Sequence, residues 1–169
     1  MQTIKLRSPV PRGKLSRFVE FSYSFTNIRY LPTPRHPPYR NLFSVVEKRR
    51  SRRRFGKLHV EKLSTFLWYS NKSAGCKIGT GGRRVELRPA PSAGACHPHD
   101  LLILDRNSRV PRLALYDPIN HALKYLDCSP AKIEKFRSTI NRVLPVQQGT
   151  IVWLGCQASR TASVYRFSE

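Results

Sequence analysis

Apolar positions in this chain change period from segment to segment. Val60, Leu63, Phe66, Leu67 and Tyr69 recur at near-helical spacing, and Glu61 stands in the first turn, where a helix dipole favours an acid; together they predict a helix. Upstream, Leu42, Phe43, Val45 and Val46 form one face of a shorter helix leading into the basic run 48–54. Downstream, segments 83–88, 101–105, 113–116 and 122–126 are short and bounded by turn residues, which favours strands. Asp117-Pro118-Ile119-Asn120 reads as a hairpin turn between the last two, and Gly75, Gly79, Gly81 and Gly82 mark a loop. Pro130 as a first-turn proline, followed by Ile133, Phe136, Ile140 and Val143, predicts a third helix, and 150–155 a final strand or helix start.

The first forty residues lack such a pattern. Pro32, Pro34, Pro37 and Pro38 interrupt any regular element, so residues 1–40 read as a basic, irregular arm with one short strand over 18–25. Residues 41–169 read as the globular part. The mixture of helices and short strands predicts an α+β fold.

Composition adds charge to this picture. The 169 residues carry 31 Lys and Arg against 10 Asp and Glu, a net charge of +21. Residues 1–60 hold fifteen of the basic side chains and only Glu20 and Glu47, so the N-terminal third is a polycation that attracts anions. A hydrophobic fraction of 40% supplies enough apolar surface for a core and excludes wholesale disorder. No apolar run approaches the roughly 18 residues of a membrane span, and no secretory pattern opens the chain, which reads as cytoplasmic. Cys76, Cys96, Cys128 and Cys156 are scattered without a C-x-x-C pair, as reduced structural thiols would be.

The densest chemical signal is Arg49-Arg50-Ser51-Arg52-Arg53-Arg54-Phe55. A phosphate ester needs fixed cationic donors and a hydroxyl, and arginine offers a rigid fork. This stretch, followed by Val60-Glu61-Lys62-Leu63-Ser64 and Leu67-Trp68, resembles the opening of the flavin-dependent nitroreductase family. Pro91-Ser92-Ala93-Gly94-Ala95-Cys96-His97-Pro98 is similar to a segment of the branch that includes peptide azoline dehydrogenases, and Tyr116-Asp117-Pro118-x-x-His121-x-Leu123 to its hairpin. The resemblance covers residues 41–127 well and is weaker from there to residue 169.

The resemblance implies a nitroreductase-like antiparallel sheet flanked by helices, binding flavin mononucleotide (FMN) and accepting hydride from NAD(P)H or an azoline-type substrate. Arg49 and Ser51 match the family's phosphate ligands, with Arg50 their neighbour, and Arg53 matches a cation at the ring. Pro91, Ser92, Ala93 and Gly94 match a segment that packs on the isoalloxazine, often from the second subunit of a dimer. The family's C-terminal elements, including the interface helix and the donor facing flavin N5, have no match before Glu169. The chain therefore reads as a truncated N-terminal part, served by a homodimer or by a chain supplying the missing half. No catalytic proton-transfer residue can be named.

Other chemistries compete for the same residues. The charge alone favours a basic protein making non-specific nucleic-acid contact without catalysis. Tyr23, Phe25, Tyr30 and Tyr39 interleave with Arg29, Arg35 and Arg40, as aromatic and basic residues do in single-strand binders. Cys96-His97-Pro98-His99 offers zinc-ligating atoms, but adjacent ligands around a proline converge poorly on one ion, and no metal is expected. Trp68 and Trp153 lie in apolar stretches and are read as core.

Overall fold

The computed structural model of the chain describes residues 8, 10–11, 21–36, 39–51, 54–79, 82–105, 110–145 and 148–166. Its centre is a five-stranded antiparallel sheet in the order β2-β7-β6-β5-β8, built from β2 (Phe25–Tyr30), β5 (His99–Asp105), β6 (Arg112–Asp117), β7 (Ala122–Leu126) and β8 (Thr150–Cys156). Two small pairings flank it: β1 (Val10–Pro11) with β9 (Tyr165–Arg166), and β3 (Cys76–Ile78) with β4 (Arg84–Glu86). The helices are α1 (Leu42–Lys48), α2 (Val60–Asn71), α3 (Pro130–Val143) and the short α4 (Ala158–Ala162). A single 3-10 turn covers Ala93–Ala95.

Period-two alternation assigns the two faces of the sheet. Leu101, Ile103, Ala114, Tyr116 and Leu123 point to one face and close a core with Leu63 and Leu67 of α2 and with Leu31. Leu67 and Ile103 are essentially inaccessible, so the apolar stripe read from residues 60–69 is the one that buries. Helix α3 covers part of the other face, where Phe136 meets Trp153 edge-on with ring centroids 5.4 Å apart. Trp153 is nevertheless exposed, so it packs at the margin of the sheet instead of in a core.

Two expectations change. The N-terminal strand lies at Phe25–Tyr30, not over 18–25, of which residues 18–20 fall outside the described residues. It pairs antiparallel with β7 and forms one edge of the main sheet. The prolines from Pro32 onward end this strand without excluding it, because an edge strand needs donors on one side only. The second change concerns α1. Asn41 caps it, its Oδ1 accepting from the Phe43 and Ser44 amides at 2.9 and 3.4 Å. Its expected apolar face, Leu42, Phe43, Val45 and Val46, is exposed. Segment 150–155 resolves into strand β8, and Gly79 and Gly82 lie between β3 and β4, the Gly82 amide donating to the Gly79 carbonyl at 3.2 Å. Among the described residues no helix is long and apolar enough to cross a membrane.

Candidate functional site

Two of the sequence motifs meet in a buried hydrogen-bonded chain. Helix α2 carries Ser64 and the β6–β7 hairpin carries Tyr116 and His121; the Ser64 Oγ lies 2.7 Å from His121 Nε2, and the Tyr116 hydroxyl 2.7 Å from His121 Nδ1. Ser64 donates its own proton to the Pro32 carbonyl. That makes Nε2–H the donor to Ser64, and because burial disfavours the charged imidazole, Nδ1 is left to accept from the Tyr116 hydroxyl. Trp68 sits edge-on against the imidazole at 4.8 Å between centroids. Burial pushes the His121 imidazole below its ordinary range and the Tyr116 phenol above its own. With Ser64 and His121 both buried, this chain clamps α2, the hairpin and the N-terminal segment together and offers substrate no access.

The Pro91–Gly94 segment is held as firmly. Ser92 Oγ accepts from the His97 amide at 2.9 Å, the Gly94 carbonyl accepts from Arg83, and the His97 carbonyl accepts from Arg160 at 3.0 Å. Gly94 has φ +57°, and a Cβ there would meet the Tyr165 hydroxyl at 2.8 Å, so glycine is required both by the turn and by the phenol packed on it. Ala95 and His97 also have positive φ, at 49° and 43°. The His97 imidazole turns to the Glu86 carbonyl, 3.0 Å from Nε2, while the Cys96 thiol faces the Gly94 carbonyl and Arg83. Burial lowers the pKa of His97. Pro91, Ser92 and Ala93 line a cavity of about 290 Å³ with Asn71, Arg88 and His99.

Beside this cavity lies a polar hub that the sequence did not announce. Asp100, at the start of β5, pairs with Arg160 of α4 at 2.8 Å and accepts from Gln157 and from the Tyr23 hydroxyl, the latter at 3.4 Å. The pair is largely buried, with side chains 11% and 15% exposed. Burial and the neighbouring carboxylate raise the Tyr23 pKa. A run of acidic, basic and amide residues dispersed over positions 23, 100, 157 and 160 leaves no spacing signal.

The basic run stands elsewhere. Arg49, Arg50 and Ser51 are exposed, and Arg50 Nη1 donates to the Glu47 and Arg49 carbonyls at 2.9 and 2.8 Å. Arg53 lies outside the described residues. Phe55 and Gly56 run against Gly149, next to Thr150, which pairs with Asp105. Pro91 and Ser92 share their cavity with His99, at the opposite end of β5. Seven residues of strand span roughly 20 Å, and among the described residues no hydrogen bond or cavity joins Arg49–Arg50–Ser51 to Pro91–Gly94.

With this geometry in view, similarity to solved structures carries weight for the architecture. A protein from Anabaena variabilis, provisionally assigned as a nitroreductase, superposes with a TM-score of 0.50 and 24% sequence identity over 62% of this chain. The fold is nitroreductase-like. A second provisionally assigned nitroreductase, from Ralstonia eutropha, matches over 66% of this chain at 22% identity and a TM-score of 0.43. The chain spans 21% of the length of the first and 50% of the second. No protein-family model and no curated protein matches the sequence. Within this nitroreductase-like fold the antiparallel sheet and α2 form the scaffold, with the Pro91–Gly94 turn at one end of β5 and Phe55–Gly56 toward the other.

Proposed function

We propose that this chain supplies the phosphate-holding and ring-side segments of an FMN-dependent oxidoreductase of the nitroreductase kind. One observation carries the proposal: in a chain of nitroreductase-like fold, Arg49, Arg50 and Ser51 stand exposed, with no acidic partner among the described residues. The donor set fits a phosphate monoester. Arg50 is oriented by its two carbonyl acceptors and keeps its remaining guanidinium nitrogens for an anion, Arg49 adds a second fork, and Ser51 adds a hydroxyl. Arg53 is assigned to the pyrimidine edge of the ring, where a fixed cation would favour the charge that develops on reduction.

On the ring side, Pro91, Ser92 and Ala93 offer a wall held by local bonds: the Ala95 and Cys96 amides bond to the Ser92 and Ala93 carbonyls, and the His97 amide to Ser92 Oγ. Such a wall presents apolar surface and holds its shape when a flat ring approaches. Bound FMN supplies the hydride-accepting ring, with NAD(P)H or an azoline-type compound as donor. Because Phe55, just past the basic run, and Pro91 lie toward opposite ends of β5, one flavin would take its phosphate from one copy and its ring wall from another. That separation supports a homodimer, or a second chain that supplies the other segment, as the assembly.

Titration with FMN and with riboflavin tests this reading. Charge-assisted hydrogen bonds are worth about 1.5–3 kcal/mol, so Arg49→Ala or Ser51→Ala weakens FMN binding by roughly 10- to 150-fold, and riboflavin binds poorly to the unaltered chain. Equal affinity for both flavins, or no effect of Arg49→Ala, refutes the phosphate assignment.

A further inference from the structure

We propose that the exposed aromatic edge of the sheet, formed by Phe21, Phe25 and Tyr30, binds single-stranded nucleic acid. The arrangement depends on one irregularity in β2. Phe25 pairs with Leu126, Asn27 with Tyr125 and Ile28 with Lys124, so a bulge falls between Phe25 and Asn27. Without it, Phe25 and Tyr30, five positions apart, would point to opposite faces; the bulge restores them to the same face, together with Ile28. That face is opposite α2, because Leu123 and Tyr125 of β7 face the α2 core and Lys124 and Leu126 do not.

The side chains there are unusually accessible for their type. Phe21 is 65% exposed, Phe25 39%, Ile28 51% and Tyr30 70%. They are also held in place. Phe21, Tyr23 and Phe25 form a row with ring centroids 4.9 and 6.4 Å apart, and the middle ring is anchored through its hydroxyl to Asp100. Lys124 Nζ lies 5.6 Å from the Phe25 ring and is itself tied to Asp117 at 2.8 Å, which fixes a cation beside the aromatic surface. A pre-positioned row of rings loses little entropy when a flat ligand stacks on it.

Charge selects the partner. Residues 21–57 contain ten Lys and Arg and one acid, Glu47. Arg35, Tyr39 and Arg40, just beyond the strand, are exposed. An apolar protein surface gains nothing from such a field, whereas a polyanion whose flat bases are free to stack satisfies rings and cations together. A duplex offers the phosphates but keeps its base faces stacked internally, so the single strand is the form these residues suit. Phe21, Phe25, Tyr30 and the cations named with them, Lys124, Arg35 and Arg40, lie outside the proposed flavin segments, so the inference stands apart from the flavin reading.

The test uses the whole chain with fluorescein-labelled oligo(dT) and a duplex of equal length, read by anisotropy across a salt series. The expected result is tighter binding of the single strand, with Phe25→Leu and Tyr30→Leu each weakening it by about 5- to 150-fold and leaving duplex binding unchanged. Leucine keeps apolar volume without a stacking face, and matching thermal melts confirm that the variants fold. Equal affinity for the two forms, single-strand affinity indifferent to both substitutions, or absence of binding at low salt overturns the proposal. So does a sedimentation result in which these variants lose self-association and nothing else, which would make the edge a contact between copies.

Discussion

Ser64 and His121, 57 residues apart in sequence, stand 2.7 Å apart in the interior and pass a hydrogen bond from hairpin to helix. Ser64→Ala removes the acceptor for the buried His121 Nε2–H and the donor to the carbonyl of the exposed Pro32, leaving one buried group unpaired. A loss of about 1–3 kcal/mol is expected. Chemical denaturation of the variant measures it, and a midpoint equal to that of the unaltered chain contradicts the clamp.

The same interior makes stability depend on pH. His121 and His97 both have pKa values depressed by burial, so the unfolded chain binds protons more readily than the folded one. Their contribution is complete above the unfolded value of about 6.5 and declines as pH falls below it toward the folded values. Melting temperatures should therefore drop between pH 7 and 5. His121→Asn, which tolerates the positive φ of 50° at that position, should flatten the drop; an unchanged profile would place the titration elsewhere.

Gly94 and Tyr165 give a third expectation. Gly94→Ala meets both an unfavourable φ of +57° and the Tyr165 hydroxyl at 2.8 Å from the new Cβ. The backbone part costs about 1 kcal/mol and the steric part adds to it. In a double-mutant cycle, Tyr165→Ala should relieve only the second part; full rescue, or none, would show that the two causes are wrongly divided.

Asp100 ties α4 and the Tyr23 segment to β5, and both members of its ion pair with Arg160 are largely buried. Asp100→Ala removes the carboxylate that Arg160 faces in this largely buried pair, at an expected cost of up to about 3–5 kcal/mol. Hydrogen exchange in α4 and near Tyr23 should accelerate together. Acceleration confined to one of them would mean that Asp100 is not their shared anchor.

Helix α2, the β6–β7 hairpin and α3 were legible because each is coded locally: a stripe at Val60, Leu63 and Leu67, a turn at Asp117 to Asn120, and a proline at a helix start. Strand β2 was displaced because its partner, β7, lies about 100 residues away, and its six exposed positions carry no alternation. Ser64, Tyr116 and His121 each lay in a motif the sequence singled out, yet nothing in the spacing announced that they touch. The Asp100 hub was invisible for a related reason: its members come from four separate segments, and ion pairs leave no periodicity. Of the segments proposed to contact flavin, Pro91 and Ser92 lie at the His99 end of β5, while Phe55, just past the basic run, lies toward its Asp105 end.

The position of β2 at the margin of the sheet also sets an order of events on the ribosome. Strands β5, β6 and β7 pair with their neighbours in sequence, but Tyr30 must wait for Ala122, some 90 residues later, before it has a ladder to join. At about 5–20 residues per second that interval is roughly 5–20 s. For that time an unpaired strand bearing Phe25, Ile28 and Tyr30 is already outside or leaving the tunnel with nothing of its own chain to bind. The cell has to keep it from pairing with other strands before its partner is made.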